Sequence, residues 1–448
     1  MRKNLSEGSI PKHLITIGLP ASIGLMFNTL FNVVDTWFAG QTSAQALAAL
    51  SLSFPLFLIV VGLGSSIGIA TNALLANAWG KNDEPQVFRY FKNVLIVSGV
   101  SAFVATILFI GLSETLLSIS GARDETLALA TQYIRTIFVG ALFFSLNFTL
   151  NGFLSSLGDT QPYRNFLIVG FFLNLFFNPW FVFGGLGVPA LGIQGIAVAT
   201  VFIQFLGVVY LTITVIKHPS FRPDLMRQEK LSFKVAVELI QQAFPAFVNI
   251  TTISIGIFII QTFVLFYGGD AAVAGYGTAL RIEQIALLLT IGLNVATVTL
   301  AGQNFGAGDI QRVYDTMRTA MLMGAGVMLV ATVIIVPFAP QMMRFFIDDS
   351  AVIESGVRYL RIEAWAFTTY VFINISVSLL QAIKRPRFIL VLGIYRQFVP
   401  IALFYGLGTL LNWGLNGVWW GIVIINVTAA LWAVTYTVKT LKKWVPVT

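Results

Sequence analysis

Nineteen acidic residues occur in this 448-residue chain, and three of them, Asp35, Glu283 and Glu363, stand inside long apolar stretches rather than in polar segments. A carboxylate at the centre of a bilayer-spanning helix costs roughly 2.5–3.5 kcal/mol on insertion scales, so each needs a partner or a task. Asp35 lies in Phe31-Asn32-Val33-Val34-Asp35-Thr36-Trp37, with no Lys or Arg between Lys12 and Lys81. A lone carboxyl of this kind can exchange a proton or a sodium ion against a cationic solute. The plainer reading is an acid at a helix end reaching for water. Asn174 and Asn178 are four apart and share a helix face, and Pro179 frees a backbone carbonyl beside them. That concentrates oxygen ligands, although hydrogen bonding between helices accounts equally well for two asparagines. Asn151 and Thr200 converge on the same place if the first half of the chain packs compactly. Glu283 and Arg281 are two apart and point to different sides of a helix, so each pairs with another element. A structural or gating role is expected for Glu283, and an interfacial position for Glu363. Arg396 lies deep in an apolar stretch beside Gln397, with no partner evident.

The elements that position these groups follow from composition. The chain is 57% hydrophobic and 10% charged, whereas soluble domains carry about 25% charged residues. A spanning helix needs roughly 20 apolar residues. Twelve such stretches are expected, at 12–40, 46–77, 92–116, 126–156, 163–186, 192–216, 236–267, 272–302, 315–338, 359–383, 387–409 and 414–438. Arg2, Lys3 and Lys12 then share a side with Lys81, Arg89, Lys92, Lys217, Lys230, Arg312, Lys384 and Lys442. The opposite side keeps only Arg123, Arg135, Arg344, Arg358 and Arg361. The asymmetry places both termini in the cytoplasm and explains the net charge of +8 without nucleic acid. The first apolar stretch is too long for a signal peptide, so no cleavage is expected.

Two copies of one design are written along the chain. Leu14-Ile15 with Pro20 matches Leu239-Ile240 with Pro245. Ala78-Trp79-Gly80 with Asp83 matches Asn304-Phe305-Gly306 with Asp309, Tyr133-Ile134-Arg135 matches Tyr359-Leu360-Arg361, and Gly192 with Gly195 matches Gly414 with Gly417. The offsets are 225, 226, 226 and 222 positions. Six spans per copy bring both copies into the membrane from the same face, around an axis along the membrane normal. The expected organisation is an amino-terminal lobe at 1–216, a cytoplasmic linker at 217–235 and a carboxy-terminal lobe at 236–448. Pro20 and Pro245 kink equivalent helices, either as hinges or as fixed bends.

No cysteine and only His13 and His218 are present, which removes thiol chemistry and makes a metal centre or a nucleophilic triad untenable. No cofactor is expected apart from a coupling ion. Phenylalanine is abundant at 39 residues, and some of these rings would line a path for greasy cations.

These residues together resemble the multidrug and toxic compound extrusion (MATE) family, and more narrowly its DinF-type branch. The resemblance covers essentially the whole chain and rests on Pro20 with Asp35, Asn151-Gly152 leading to Gly158-Asp159, Asn174 with Asn178-Pro179, and Gly192 through Thr200. It implies an all-α membrane protein of two pseudo-symmetric six-helix bundles forming a V-shaped cleft, which exports organic cations or amphiphilic drugs against protons or sodium ions. It also implies a first-lobe coupling site at Asp35, Asn151, Asn174, Asn178 and Thr200. Protonation of Asp35 would bend the first helix near Pro20 and close a drug cavity. Residence in a bacterial inner membrane and a monomeric state without obligate partners belong to the same expectation.

Some relatives carry a second Asp where this chain has Asn178, and the acids used in the second lobe by sodium-driven members of another branch are read as absent from spans seven and ten. A hard cation prefers charged oxygen ligands, so both absences favour protons. A lipid-linked saccharide flippase is the main alternative. It needs cations deep in its cavity to hold pyrophosphate, and the first lobe offers none. A channel would move solute only downhill, and an intramembrane enzyme would change it.

Overall fold

The computed structural model describes residues 5–185 and 187–444. Arg2 and Lys3, used above for orientation, lie outside them. The described chain is helical almost throughout: α1 (Ile10–Thr42), α2 (Ala44–Gly80), α3 (Glu84–Ile119), α4 (Asp124–Val139), α5 (Ala141–Ser156), α6 (Gln161–Phe183), α7 (Ile193–Lys217), the short α8 (Pro223–Gln228), α9 (Phe233–Gly306), α10 (Ile310–Arg344), α11 (Ser350–Glu363), α12 (Phe367–Ala382), α13 (Arg387–Tyr405) and α14 (Leu415–Lys442). The 74 residues of α9 would make a straight rod of about 110 Å. That is more than three bilayer cores. Gly269, at φ 70° and ψ −170°, breaks it in a region of backbone space essentially reserved for glycine, so α9 holds spans seven and eight. α4 and α5 form one span bent by 45° at Gly140, and a 3₁₀ turn at Ala364–Ala366 joins α11 to α12. Counted this way the described residues hold the twelve spans expected.

The repeat is visible in the turns as well as in the letters. Asp83 caps α3 by accepting from the Gln86 N–H at 3.0 Å, and Asp309 caps α10 by accepting from the Arg312 N–H at 2.8 Å. The residues just before these caps, Asn82 and Gly308, both have left-handed backbone angles. Gly192 and Gly414 open α7 and α14 with nearly the same angles, φ 56° and ψ −135° against φ 52° and ψ −131°.

Contacts divide the chain into two compact units, and the division falls inside helices. One unit holds Ile23–Phe247, the other Leu5–Ser22 and the chain from Val248 onward. The first parts of α1, up to Ser22, and of α9, up to Phe247, are thus exchanged at equivalent points, each just after its proline. The packing shows why. Leu5, Leu14 and Ile17 are fully buried with the core of α10, α12 and α14, while Leu239 and Ala243 join the core of α2, α3 and α7. Arg312 ties the amino-terminal segment down by donating to the Leu5, Glu7 and Gly8 carbonyls, and Tyr90 donates to Glu238 at 2.8 Å.

In the first unit α2 runs through the middle, against α3, α4 and α5. It approaches α5 so closely that a Cβ on Gly152 would stand 2.5 Å from the Gly68 carbonyl oxygen. Small residues at this crossing let two backbones touch, which is how helices associate where lipid supplies no hydrophobic drive.

Candidate functional site

Asp35 on α1 is buried at 5% exposure, and three side chains from two other helices close on it. The Asn174 and Asn178 amides of α6 each donate to its Oδ1 at 2.8 Å, and the Thr200 hydroxyl of α7 donates to Oδ2 at 3.4 Å. The four-residue spacing on α6 does what helix geometry demands, placing both amides on one face. Asn178 also donates to the Asn174 Oδ1 at 3.2 Å, while its own Oδ1 is buried with no hydrogen-bond partner. Every group bound to the carboxylate is neutral, and among the described residues no Lys, Arg or His pairs with it.

Asn151 does not join this cluster. Its oxygen accepts from Ser155 Oγ, one turn along α5, at 3.1 Å. The α5 asparagine that reaches α7 is Asn147, one turn earlier, which donates to the backbone and side-chain oxygens of Gln204 at 2.8 and 2.7 Å. Of the five expected residues, the structure brings Asp35, Asn174, Asn178 and Thr200 together and leaves Asn151 apart.

A cavity of about 150 Å³ opens beside the cluster, and Thr200 belongs to both. Seven aromatic rings line it: Phe31, Phe54, Phe57, Phe144, Phe148, Tyr163 and Phe166. The polar lining is Asn28, Asn32, Thr200 and Gln204, and none of the lining side chains is charged. Sequence reasoning passed over Asn28 and Asn32. Their spacing with Asp35 was the available signal, because positions 28, 32 and 35 lie on one face of a helix.

The second unit contains a denser polar cluster. Glu283 of α9 is buried and accepts from the Tyr359 hydroxyl at 2.6 Å. Glu363 is fully buried, and its Oε1 accepts from Tyr370 at 3.0 Å and from Asn426 at 3.1 Å, while its Oε2 has no partner. Asn426 in turn accepts from Arg396 at 3.3 Å, and the guanidinium lies 5.8 Å from the centre of the Tyr370 ring. The expected interfacial position of Glu363 is therefore wrong. Being close to a predicted span start said nothing about the neighbouring helices, and α11 passes into α12 through the 3₁₀ turn while α14 covers this face. Arg281 is exposed and separate from the cluster, as its two-residue offset from Glu283 required. Pro20 lies buried within α1, two residues before the point at which the helix passes from one compact unit to the other. Among the described residues no group of acidic, His or Cys side chains has the arrangement of a metal site.

Twelve apolar helices in two copies, with a buried carboxyl beside an aromatic cavity, define a polytopic membrane transporter. The chain matches the MatE family twice, over residues 20–180 and again over 245–406, and it belongs to that family. Among curated proteins it is 26% identical to a probable multidrug resistance protein NorM of Thermotoga maritima, over 92% of this chain and 89% of that one. It is 25% identical to the multidrug export protein MepA of Staphylococcus aureus over 94% and 92% of the two chains, and 28% identical to an FAD transporter of Shewanella oneidensis over 95% and 94%. Among solved structures, a MATE protein in a bent conformation superposes with a TM-score of 0.91 at 23% identity, covering 98% of this chain and 97% of the other. A MOP superfamily transporter from Pyrococcus furiosus superposes with a TM-score of 0.90 at 24% identity, covering 98% of each chain. The family is one of multidrug transporters and not of enzymes.

Proposed function

We propose that this protein exports organic cations or amphiphilic drugs by antiport with protons, through alternating access, with Asp35 as the proton carrier. The observation that carries the reading is the neutral cage around Asp35. An anion buried among neutral donors lacks a counter-charge, and a proton or a small cation is what supplies one. The present donors favour the proton. A hard cation such as sodium prefers several charged oxygen ligands, and Asp35 supplies the single carboxylate of this cluster among the described residues. Protonation makes one carboxyl oxygen a donor. Turning over the Asn178 amide, whose Oδ1 is otherwise unpartnered, would give that donor an acceptor. Thr200 carries the change to the cavity, since its hydroxyl binds Asp35 and the residue belongs to the lining. Bending of α1 near Pro20 is the movement through which the cavity would then be emptied.

The cavity chemistry supports the substrate class. Aromatic faces attract cations and flat apolar groups, and neutral amides orient them without demanding a fixed charge. A flavin dinucleotide, like a lipid-linked saccharide, carries a pyrophosphate that calls for Arg or Lys, and none lines this cavity. Cytoplasmic termini in a bacterial inner membrane complete the reading. Adding tetraphenylphosphonium to weakly buffered purified protein should release close to one proton per bound cation, and none from Asp35→Asn. Equal proton release by both proteins would remove Asp35 from the coupling step.

A second reading attaches to the other unit. Glu283 and Glu363 lie in one polar cluster, and the unpartnered Oε2 of Glu363 offers an alternative place for an ion. Arg396 is part of that cluster and already supplies positive charge, so the first unit is favoured.

A further inference from the structure

Each unit carries an open groove beside the turns that follow an odd number of crossings. The two grooves are the same groove in the two copies. Glu114, Asp124, Gln132 and Arg135 line one, and at the offset of 226 Pro340, Ser350, Arg358 and Arg361 line the other. Their volumes agree, at about 640 and 620 Å³. One arginine has the same job in both, since Arg135 Nε donates to the Ile110 carbonyl and Arg361 Nε to the Val336 carbonyl, again 226 apart.

The chemistry has diverged around that shared residue. In the first unit Arg135 is the only cation of the groove and it pairs with Glu114 at 3.5 Å, leaving Asp124 and an acidic balance. In the second unit the two acidic positions have become Pro340 and Ser350, Gln132 has become Arg358, and Arg344 is added. Three guanidiniums then face two carboxylates, Asp348 and Glu354. Arg358 meets Glu354 at 3.3 Å in an exposed pair of the kind that contributes little, and Arg344 has no ion-pair partner among the described residues. Basic residues are scarce on this face of the chain, so gathering three in one groove runs against the general pattern. The floor between them is apolar, with Pro340, Ile353 and Val357. The ends of the adjoining helices carry exposed Phe345 and Trp365, at 84% and 68% exposure, as aromatic residues do at the headgroup level of a bilayer.

We infer that the second-unit groove binds the phosphate headgroup of an anionic phospholipid, with Arg344 and Arg358 on the phosphate and the acyl chain along the apolar wall. Guanidinium groups suit phosphate because they offer paired N–H donors in one plane. The first-unit groove, equal in size and acidic, is the internal control.

The test uses the full chain in detergent, titrated with phosphatidylglycerol or phosphatidylcholine and read by native mass spectrometry. One phosphatidylglycerol should be retained in preference to phosphatidylcholine. Arg344→Gln with Arg358→Gln should weaken that retention about tenfold or more, as the loss of charge-assisted bonds implies. Gln132→Ala in the first-unit groove should leave it unchanged. A converse variant, Gln132→Arg with Asp124→Ser, should add a second retained lipid, so the outcome does not hang on one substitution. Unchanged phosphatidylglycerol retention in the double arginine variant overturns the proposal. So does displacement of the lipid by millimolar inorganic phosphate, which would make the groove a site for free phosphate.

Discussion

Asp35 and Glu363 are both buried carboxylates, on opposite copies of one repeat, yet their surroundings differ in kind. Asp35 is met by two amides and a hydroxyl, all neutral and all from α6 and α7. Glu363 shares a network with a second acid, the Tyr359 and Tyr370 hydroxyls, Asn426 and, through that amide, Arg396. With one guanidinium for two carboxylates, that network carries part of its own counter-charge, and its hydrogen bonds tie together the helices it joins. A lone acid among neutral donors is incomplete. The two carboxyls are both buried and differ in counter-charge, which Glu363 has within its network and Asp35 lacks among the described residues; the proposed coupling role of Asp35 rests on that difference.

The largest effect that would break this contrast is Asp35→Asn. It should reduce uphill export to the level of empty vesicles while leaving the unfolding temperature within a few degrees of the parent. Tyr370→Phe should do the reverse. It strips Glu363 and Asn426 of a shared hydroxyl, costs about 1–3 kcal/mol of stability through unsatisfied buried groups, and leaves export running. A thermal melt beside a transport assay separates the two results, and loss of export with unchanged stability in Tyr370→Phe would erase the distinction. Asn178→Asp sharpens the contrast in another direction. A second carboxylate next to Asp35 supplies the charged oxygens that a hard cation requires, so sodium should now raise the melting temperature of the variant and not of the parent. Thr200→Val, which removes a single 3.4 Å contact to Asp35, should slow export about fivefold, equivalent to ~1 kcal/mol. The smallest expected effect on export comes from Gly152→Ala, a steric fault remote from the ion. The added methyl group meets the Gly68 carbonyl and should cost about 1–3 kcal/mol of stability without altering ion dependence.

Much of this architecture was legible in the letters because lipid imposes simple rules. Runs of apolar residues set the spans, and the offset near 226 announced two copies that the turns at Asn82 and Gly308 then repeat in backbone angles. Asp35 with Asn174 and Asn178 was legible too, since helix periodicity fixes which residues share a face. The errors have a common cause. Asn151 was placed by assumed compact packing and by the family resemblance, and Glu363 by its position along a span, and neither says which neighbour a side chain meets. One turn decides it, as Asn147 rather than Asn151 reaches Gln204. The exchange of half-helices at Pro20 and Pro245 was likewise hidden, because it depends on which core Leu14 and Leu239 enter and not on their own hydropathy.

Efflux from proteoliposomes under an imposed pH gradient or an imposed sodium gradient, with parent, Asp35→Asn and Glu363→Gln measured side by side, tests the central claim most directly. The account predicts uphill export driven by the pH gradient alone, abolished by Asp35→Asn and retained by Glu363→Gln. Uphill export by Asp35→Asn, or its loss in Glu363→Gln alone, would contradict it.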